Sequence, residues 1–397
     1  MSIPRLPPEI LDHIADILHD EPEALKECCL VSKSWVPRTQ KHLFANIELR
    51  SEGDLESWKK AFPDPSNSPA HHTHTLKIGG TQVIRAADVG EGGWIQAFSR
   101  VASLDLSGDV HQYPDDPVAP LAPFYKFSPT LKSLRVRSSS LSYPELFTLV
   151  RSSPLLEDLT LAGHGALLKN GDDPDGSQAV VPSVPPALTG TLNLVIHGGM
   201  EYTTRQLLDL PNGLHFRKLM FSWFEEEDLE WIMKLVNECS DSLEHLNVDR
   251  FGAFLLILGW GCGLPSPAGD PSPASLDLSN AKKLGGVTFW SISVKVEWIT
   301  TALQTITPEH REFRLITIHV PYGLVLFKVG DDIRQAVGET IHQGWLDLDR
   351  LLVRLWESNS IRPRVECDGR GEEEQSLNYC IGCLLPEITR RGIIDLF

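Results

Sequence analysis

The sequence predicts an α/β protein that begins with a small three-helix unit, continues as a repeat array with a parallel sheet, and ends in a helical cap. Three observations support this prediction. Apolar residues recur at helical spacing near the start, a short apolar pair returns about every thirty residues through the middle, and a long 3.6-residue period follows near the end. A chain of 397 residues suits two or three units, or one long array.

The charge and the composition exclude several classes of protein. There are 36 Lys and Arg residues against 53 Asp and Glu residues, so the net charge is -17. Phosphate backbones and anionic membrane surfaces repel such a chain, and we therefore expect neither nucleic acid nor membrane as a partner. The longest uncharged apolar run, residues 251–264, is shorter than the roughly 20 residues that a bilayer requires.

Two further features indicate the compartment. The first residues contain no apolar signal core, because Glu9 and Asp12 follow at once. The 7 cysteines are spread along the chain and do not form the dense disulfide framework of a small secreted domain. We expect a reduced protein of the cytoplasm or nucleus.

The N-terminal segment predicts three short helices. Pro7 and Pro8 suit a helix start, Pro22 helps to end the first helix, and Pro37 is acceptable only in the first turn of the third. About 50 residues cannot enclose much apolar surface alone, so a second body must cover part of it. The apolar positions are Ile10, Leu11, Ile14, Ile17 and Leu18 in the first helix, Leu25, Cys28, Cys29 and Leu30 in the second, and Leu43, Phe44 and Ile47 in the third.

The same residues resemble the F-box family. The resemblance lies in Leu6-Pro7-Pro8-Glu9-Ile10-Leu11, in Ile14, Leu18 and Leu25, and in Leu30-Val31-Ser32-Lys33-Ser34-Trp35. In that family the motif is a three-helix hook that binds the Skp-type adaptor of cullin–RING ubiquitin ligases. The resemblance covers residues 3–49 and implies an F-box over residues 1–49. The adaptor-binding residues that it implies are Leu6, Pro7, Ile10, Leu11, Ile14, Leu25, Leu30, Val31 and Trp35.

A plain helical hairpin that caps the next domain is the alternative for this segment. Terminal units of repeat arrays need such polar-faced caps. A cap does not explain the Leu6-Pro7 start together with Val31 and Trp35, so the F-box interpretation is favoured.

A ladder of apolar pairs follows an expected linker at residues 50–75, which is rich in Pro, Ser and His. Each pair has the form apolar–any–apolar, the steps range from 25 to 41 residues, and several pairs follow another apolar residue three positions earlier. This is the L-x-x-L-x-L core of a leucine-rich repeat, which we assign to residues 76–330. The pairs are Leu76/Ile78, Leu104/Leu106, Leu134/Val136, Leu159/Leu161, Leu192/Leu194, Leu219/Phe221, Leu246/Val248, Val287/Phe289 and Ile316/Ile318.

The residue between the members of each pair predicts the binding face. A two-residue period places the pair in a core and the middle residue, polar in eight of nine pairs, on an open face. Helical patterns at 146–150 and 229–236 fill two of the gaps, as expected for strand–helix repeats. The expected target-binding residues are Lys77, Asp105, Arg135, Asn193 and Asn247.

A doubly wound sheet remains the alternative to the repeat array, because leucine is common and the steps are irregular. The two longest steps coincide with Pro- and Gly-rich insertions at 171–186 and 259–275, which would loop out without breaking a stack. The C-terminal region, residues 331–397, is expected to be a helical cap that covers the edge of the last repeat. Its period runs through Ile333, Val337, Ile341, Trp345, Leu348, Leu352 and Leu355, with Asp331 or Asp332 as the helix cap.

Candidate ligand sites in the chain are weak. The imidazoles of His71, His72 and His74 lie in the expected linker without a nearby cysteine, and Cys367, Cys380 and Cys383 supply three thiols where structural zinc needs four ligands. The glycines of 90–93 lack the Lys-Ser/Thr of a phosphate loop. We therefore expect no metal and no cofactor.

Catalytic candidates are equally weak. Cys262 has no adjacent base to activate it, and the acidic runs at 225–228 and 372–374 are interpreted as a solvated helix start and a solvated loop. A hydrolase of α/β type would need a nucleophile motif such as G-x-S-x-G, which the chain lacks. We expect no enzyme.

The resulting functional hypothesis is a non-catalytic substrate receptor of a cullin–RING ubiquitin ligase. Its partners would be a Skp-type adaptor, the cullin scaffold and an unidentified target protein held on the open face of the repeats. A repeat scaffold whose hook packs on its own body, unrelated to ubiquitination, is the alternative.

Overall fold

The structure, a computed structural model, contains two compact units. It describes residues 7–80, 83, 94–108, 121–137, 143–164, 186–197, 199–223, 228–250, 276–291, 296–320, 330, 332–359, 361–366 and 374–396. Unit 1 comprises residues 1–163 and 169–187, and unit 2 comprises 164–168 and 188–397. Strands and helices alternate in both, and the described strand pairs are parallel, so the predicted α/β class with a parallel sheet is confirmed.

Three short helices open unit 1, as predicted. They are α1 (Pro8–Ile17), α2 (Pro22–Val31) and α3 (Val36–Leu43). Each has a proline in its first turn, where the missing N–H removes no intrahelical hydrogen bond. Helix α3 ends where the Phe44 N–H closes on the Gln40 carbonyl oxygen.

The expectation that the third helix carries Ile47 is wrong, because Ile47 lies in strand β1 (Asn46–Leu49). This strand pairs in parallel with β2 (Thr75–Gly79). Buried Ile47 and Leu49 alternate with exposed neighbours, which is the two-residue period of a strand. The sheet therefore begins inside the range 1–49.

Residues 50–75 do not form the expected linker. Helix α4 (Glu52–Ala61) starts with a capping box, in which the Ser51 hydroxyl accepts from the Asp54 N–H and the Asp54 carboxylate accepts from the Ser51 N–H. Leu55 of this helix is fully buried. Two short 3-10 turns follow at Pro65–Asn67 and Pro69–His72. The segment is part of the folded unit, because Leu55 and Ala70 are buried in its core.

The rest of unit 1 continues the sheet. Strands β3 to β5 pair in sequence after β2, so that each residue of a predicted apolar pair lies opposite its equivalent on the next strand. Two buried rows result, one through Leu76 and Leu104 and the other through Ile78 and Leu106. The elements are 3-10 turn Trp94–Ala97, β3 (Ser103–Ser107), 3-10 turn Ala122–Phe127, β4 (Ser133–Arg137), α5 (Tyr143–Arg151) and β5 (Asp158–His164).

Unit 2 repeats the arrangement. Its rows run through Leu192 and Leu219 and through Leu194 and Phe221, all of them buried. The elements are β6 (Thr191–His197), α6 (Met200–Leu208), β7 (Lys218–Trp223), α7 (Asp228–Glu238), β8 (His245–Arg250), β9 (Gly286–Ser291), α8 (Glu297–Gln304) and β10 (Leu315–His319).

Within each unit the described strands pair in the order of the chain. A doubly wound sheet reverses its order at a switch point. Neither unit has such a reversal among its described strands. The insertions at 171–186 and 259–275 lie outside the described residues, except Pro186.

The C-terminal region is only partly the expected helical cap. Its long period is interrupted at Gly338, whose φ of 88° separates two helices, and the Asp332 side chain caps the first by accepting from the Gln335 N–H. Two strands extend the sheet beyond β10: β11 pairs in parallel with β10, and β12 pairs in parallel with β11. Pro363 and Val365 of β11 are buried at alternate positions, which is the two-residue period of a strand. The elements are α9 (Ile333–Val337), α10 (Glu339–Asn359), β11 (Arg362–Glu366), α11 (Glu374–Leu384), α12 (Pro386–Arg390) and β12 (Asp395–Leu396). Asp331 lies outside the described residues.

None of the helices in the described part of the chain is both long enough and apolar enough to span a membrane.

Candidate functional site

An exposed group of aliphatic side chains lies on α1 and α2. Ile10 is 46% exposed, Ile17 65%, Leu30 80% and Val31 75%. These four residues, which we call the N-terminal apolar surface, are four of the seven large exposed hydrophobic side chains in the described part of the chain. The four are close in sequence, within 22 consecutive positions, whereas the apolar side chains of ordinary protein surfaces are scattered singly.

The other predicted adaptor-binding residues occupy different environments. Pro7 is exposed, and Leu11, Ile14 and Trp35 are half-buried. Leu25 is buried, so its side chain supports the helices rather than offering contact area. Leu6 lies outside the described residues. Sequence reasoning did not select Ile17 for the adaptor surface, although it placed this residue on the apolar stripe of α1.

Helix α3 holds α1 in place through a charged contact that sequence reasoning missed. The Arg38 guanidinium donates to both oxygens of the Asp16 carboxylate, at 2.6 and 2.5 Å, and His42 Nε2 lies 2.7 Å from Asp16 Oδ1. The Arg38 contact, followed by the His42 contact, lowers the pKa of Asp16 well below its usual range. Nothing in the sequence spacing links these positions, because the residues lie on different helices.

Each of the three N-terminal helices contributes one buried residue to a small shared core. Ala15 and Leu25 are buried there together with Thr39, whose hydroxyl donates to the Trp35 carbonyl oxygen at 2.8 Å. The Cys29 thiol lies 2.8 Å from the same hydroxyl. The three helices therefore have a defined interior without enclosing the N-terminal apolar surface.

An aromatic cluster connects these helices to the rest of unit 1. Phe44, just after α3, packs edge-on against Trp58 of α4 and against Phe62 just after α4, at centroid distances of 6.1 and 5.9 Å. Trp58 also contacts Phe98, which is buried in the repeat region, at 5.7 Å. The Thr73 hydroxyl donates to the Phe44 carbonyl oxygen at 2.9 Å. The three N-terminal helices are thus joined to the rest of unit 1 through packed aromatic side chains.

The open strand face of unit 1 brings three predicted target-binding residues into one row. Lys77 lies opposite Asp105, and Asp105 lies opposite Arg135. The Asp105 side chain is 8% exposed, whereas those of Arg135 and Arg137 are both 53% exposed. Sequence reasoning missed Arg137, because it considered only the residue inside each apolar pair, and Arg137 follows the pair on the same face.

The two remaining predicted residues belong to unit 2. Asn193 and Asn247 lie on the same row but on either side of Met220, and both are half-buried. Their amides make no side-chain hydrogen bond within the described residues. The five predicted residues therefore form two separate groups, one in each unit.

A second polar row crosses the open face of unit 2. Ser222, Asp249, Trp290, His319 and Glu366 lie opposite one another on successive strands. The Trp290 and His319 rings stack at 3.4 Å, and His319 Nε2 lies 3.1 Å from Glu366 Oε2. Burial raises the pKa of Asp249 to about 6, while the hydrogen bond from Ser222 opposes that shift. Sequence reasoning selected none of these five residues.

The histidines and cysteines that the sequence singles out form no metal site among the residues that the structure describes. The ring centroids of His71 and His72 are 3.9 Å apart, with the rings tilted by 48°, and the described residues contain no group of three or more side chains able to hold a metal ion. Cys380 is buried and Cys383 half-buried on α11. Cys262, Cys367 and the segments 90–93, 225–227 and 372–373 lie outside the described residues.

Comparison with family models, with curated proteins and with solved structures gives no match to this chain.

Proposed function

We propose that the protein is the substrate-recognition subunit of a cullin–RING ubiquitin ligase. In this proposal α1, α2 and α3 form an F-box that docks on a Skp-type adaptor, and the open strand faces bind a target protein. The observation that carries the proposal is the N-terminal apolar surface, located where the F-box resemblance implies adaptor contacts.

The size of this surface supports docking. Burying one fully exposed aliphatic side chain contributes about 1.5–3 kcal/mol, and because these four are 46–80% exposed, covering what remains exposed contributes roughly 4–8 kcal/mol. Association of two proteins costs about 4–15 kcal/mol. The four side chains therefore need help from the half-buried Leu11, Ile14 and Trp35 at the same helices. A shared surface of this kind explains why several apolar positions of the motif are left partly open.

The repeat region supports the second half of the proposal. Sequential parallel strands, buried apolar pairs and a polar open face favour degenerate leucine-rich repeats over a doubly wound sheet. The receptor would contribute proximity alone, by holding the target beside the ubiquitin-transferring machinery. We assign no catalytic residue, metal or cofactor to the chain.

A pull-down with purified Skp-type adaptor tests the docking step. We expect the full chain to retain the adaptor and the Leu30→Asp/Val31→Asp double variant to lose it, because two charges would enter an apolar interface. These side chains are the most exposed of the group, so the variant should remain folded. Leu155→Asp is a matched control, because Leu155 is an exposed leucine of the same unit, at 46%, outside the three helices.

Three outcomes would contradict the proposal. One is failure of the wild-type chain to retain the adaptor, which favours the alternative of a repeat scaffold unrelated to ubiquitination. Another is retention by the double variant. The third is an equal loss with Leu155→Asp, which would indicate a general effect of added negative charge.

A further inference from the structure

The open strand face of unit 1 carries a cluster of cations in a chain whose net charge is -17. Lys77 and Arg135 lie opposite Asp105 on the two neighbouring strands, and Arg137 contacts its carboxylate; we call these four residues the basic cluster. Three positive charges and one negative charge leave a local excess of two. This excess is opposite in sign to the charge of the whole chain.

Asp105 positions the two guanidinium groups and neutralises only part of their charge. Arg137 Nη2 donates to both Asp105 oxygens, at 3.1 and 3.3 Å, and Arg135 Nη1 lies 3.7 Å from Asp105 Oδ2. A guanidinium carries five N–H donors, and Arg135 makes no hydrogen bond within the described residues. Most of the N–H donors of Arg135 and Arg137 therefore have no acceptor within the described residues, and both side chains are about half exposed.

Among the described residues, the neighbouring carboxylates offset the cluster only in part. Glu48, opposite Lys77, already accepts from the Arg50 guanidinium at 2.9 Å. Asp158 lies at the amino ends of the strands, opposite Ser133, whereas Arg137 lies at the carboxyl ends. Within the described residues, the excess positive charge thus lies toward the carboxyl ends of β2 to β4.

We propose that the basic cluster binds an acidic segment, rich in Asp and Glu, of the target protein. Neighbouring strands are about 4.8 Å apart, so Lys77 and Arg135 are attached about 10 Å apart, and Arg135 and Arg137 about 7 Å apart. Those spacings fit successive carboxylates on an extended peptide better than a single compact anion. Guanidinium groups bind carboxylates through paired hydrogen bonds.

Other occupants fit less well. A second copy of this chain carries the same charge of -17 and is repelled at long range. A nucleic acid extends past the cluster onto a predominantly acidic protein, where its phosphates meet repulsion. The inference deepens the proposed target-binding role and depends on it, but it does not involve α1, α2 or α3.

Fluorescence anisotropy with the full chain tests this inference. The probe is a labelled extended peptide with Glu at alternate positions, and its counterpart has Gln at those positions. We expect the Glu peptide to bind, the Gln peptide to bind at least about tenfold more weakly, and Arg135→Gln/Arg137→Gln to lose at least about tenfold in affinity for the Glu peptide. Added salt should weaken binding, because the contacts are exposed.

Lys59→Gln/Lys60→Gln is the matched control, because it removes two positive charges from α4 in the same unit. We expect it to bind the Glu peptide as the wild type does. Equal loss in both double variants, or equal binding of the Glu and Gln peptides, would overturn the inference. Binding only of a phosphoserine peptide or of an oligothymidine would also overturn it. Adaptor pull-down reports separately on the proposed ligase role, since it depends on a different surface.

Discussion

The two helical regions near the ends of the chain differ in how completely they bury their apolar side chains. The N-terminal helices α1, α2 and α3 leave Ile17, Leu30 and Val31 more than 60% exposed. The C-terminal helices α10, α11 and α12 bury Trp345, Leu348, Ile381, Leu384 and Ile388 completely, and Leu385 between α11 and α12 is buried as well. Helices with apolar faces thus have two outcomes in one chain: the C-terminal ones bury their apolar side chains, and the N-terminal ones leave several exposed, as the proposed adaptor-docking role requires.

The C-terminal helices also show how a closed helical region is held together. The Asp349 carboxylate on α10 accepts from the Glu387 and Ile388 N–H groups at the start of α12, at 2.8 and 3.0 Å. These N–H groups would otherwise have no partner inside the helix. In the N-terminal helices the corresponding polar contact, between Asp16 and Arg38, joins side chains that are 37% and 32% exposed. The C-terminal helices are thus joined by a buried polar contact, and the N-terminal helices by a partly solvated one.

The largest expected effect is on stability and follows Trp345→Ala. This side chain is fully buried on α10, so its removal leaves a cavity and should lower the free energy of unfolding by about 3–5 kcal/mol. Urea unfolding measures the change. Trp356→Ala on the same helix is the control, because Trp356 is 37% exposed and should cost clearly less. Equal losses of unfolding free energy in the two variants would contradict the conclusion that Trp345 is buried in a packed C-terminal region.

A smaller loss is expected from Asp349→Ala. The substitution leaves the Glu387 and Ile388 N–H groups without their acceptor and should cost about 2 kcal/mol. Asp347→Ala, two residues earlier, removes only contacts to exposed Gln343 and Arg350 and should change stability by less than about 0.5 kcal/mol. Thermal or urea unfolding of both variants measures the difference. A large effect at Asp347 would show that the buried cap is not the cause.

Acidification should affect the two regions with opposite sign. The pKa of Asp16 is lowered in the folded chain, so its contribution is present above the ordinary value of 3.8 and is lost as the pH falls below it. Burial raises the pKa of Asp349, so the cost of ionising this carboxyl is relieved as the pH falls through its raised pKa.

Hydrogen exchange with residue resolution tests this contrast. At about pH 3 we expect lower protection factors in α1 and α3 than at about pH 6, with α12 unaffected or better protected. In Asp16→Asn the decrease in α1 and α3 should vanish. A uniform loss of protection over both regions would contradict the opposite pH effects that we attribute to Asp16 and Asp349.

The sequence predicted the repeated strands well, because their signal is local. Each of the nine apolar pairs lies in a strand, and the helices at 146–150 and 229–236 are present as α5 and α7. Strand β11 was missed because Pro363 replaces the usual leucine, and β1 because Ile47 follows Leu43 at helical spacing. Helix α4 was missed although Ser51 and Asp54 carry the spacing of a capping box.

The interaction surfaces were predictable only in part. The two-residue period correctly placed Lys77, Asp105 and Arg135 on one row, because register follows from the apolar pairs. The same reasoning did not reveal that Asp105 is buried and that Arg137 joins it, since those facts depend on side-chain packing across strands. Exposure of Leu30 and Val31 agrees with the argument that three short helices cannot enclose their own apolar surface, whereas the burial of Leu25 required the structure.

The most direct test of the account is calorimetric titration of the full chain with a Skp-type adaptor at several temperatures. We predict binding with a negative heat-capacity change, as expected for burial of apolar surface. We further predict at least about a hundredfold loss of affinity in Leu30→Asp/Val31→Asp, with the free energy of unfolding within about 0.5 kcal/mol of the wild type. Absence of binding by the wild type, or undiminished binding by this variant, would contradict the claim that the N-terminal apolar surface is a docking site.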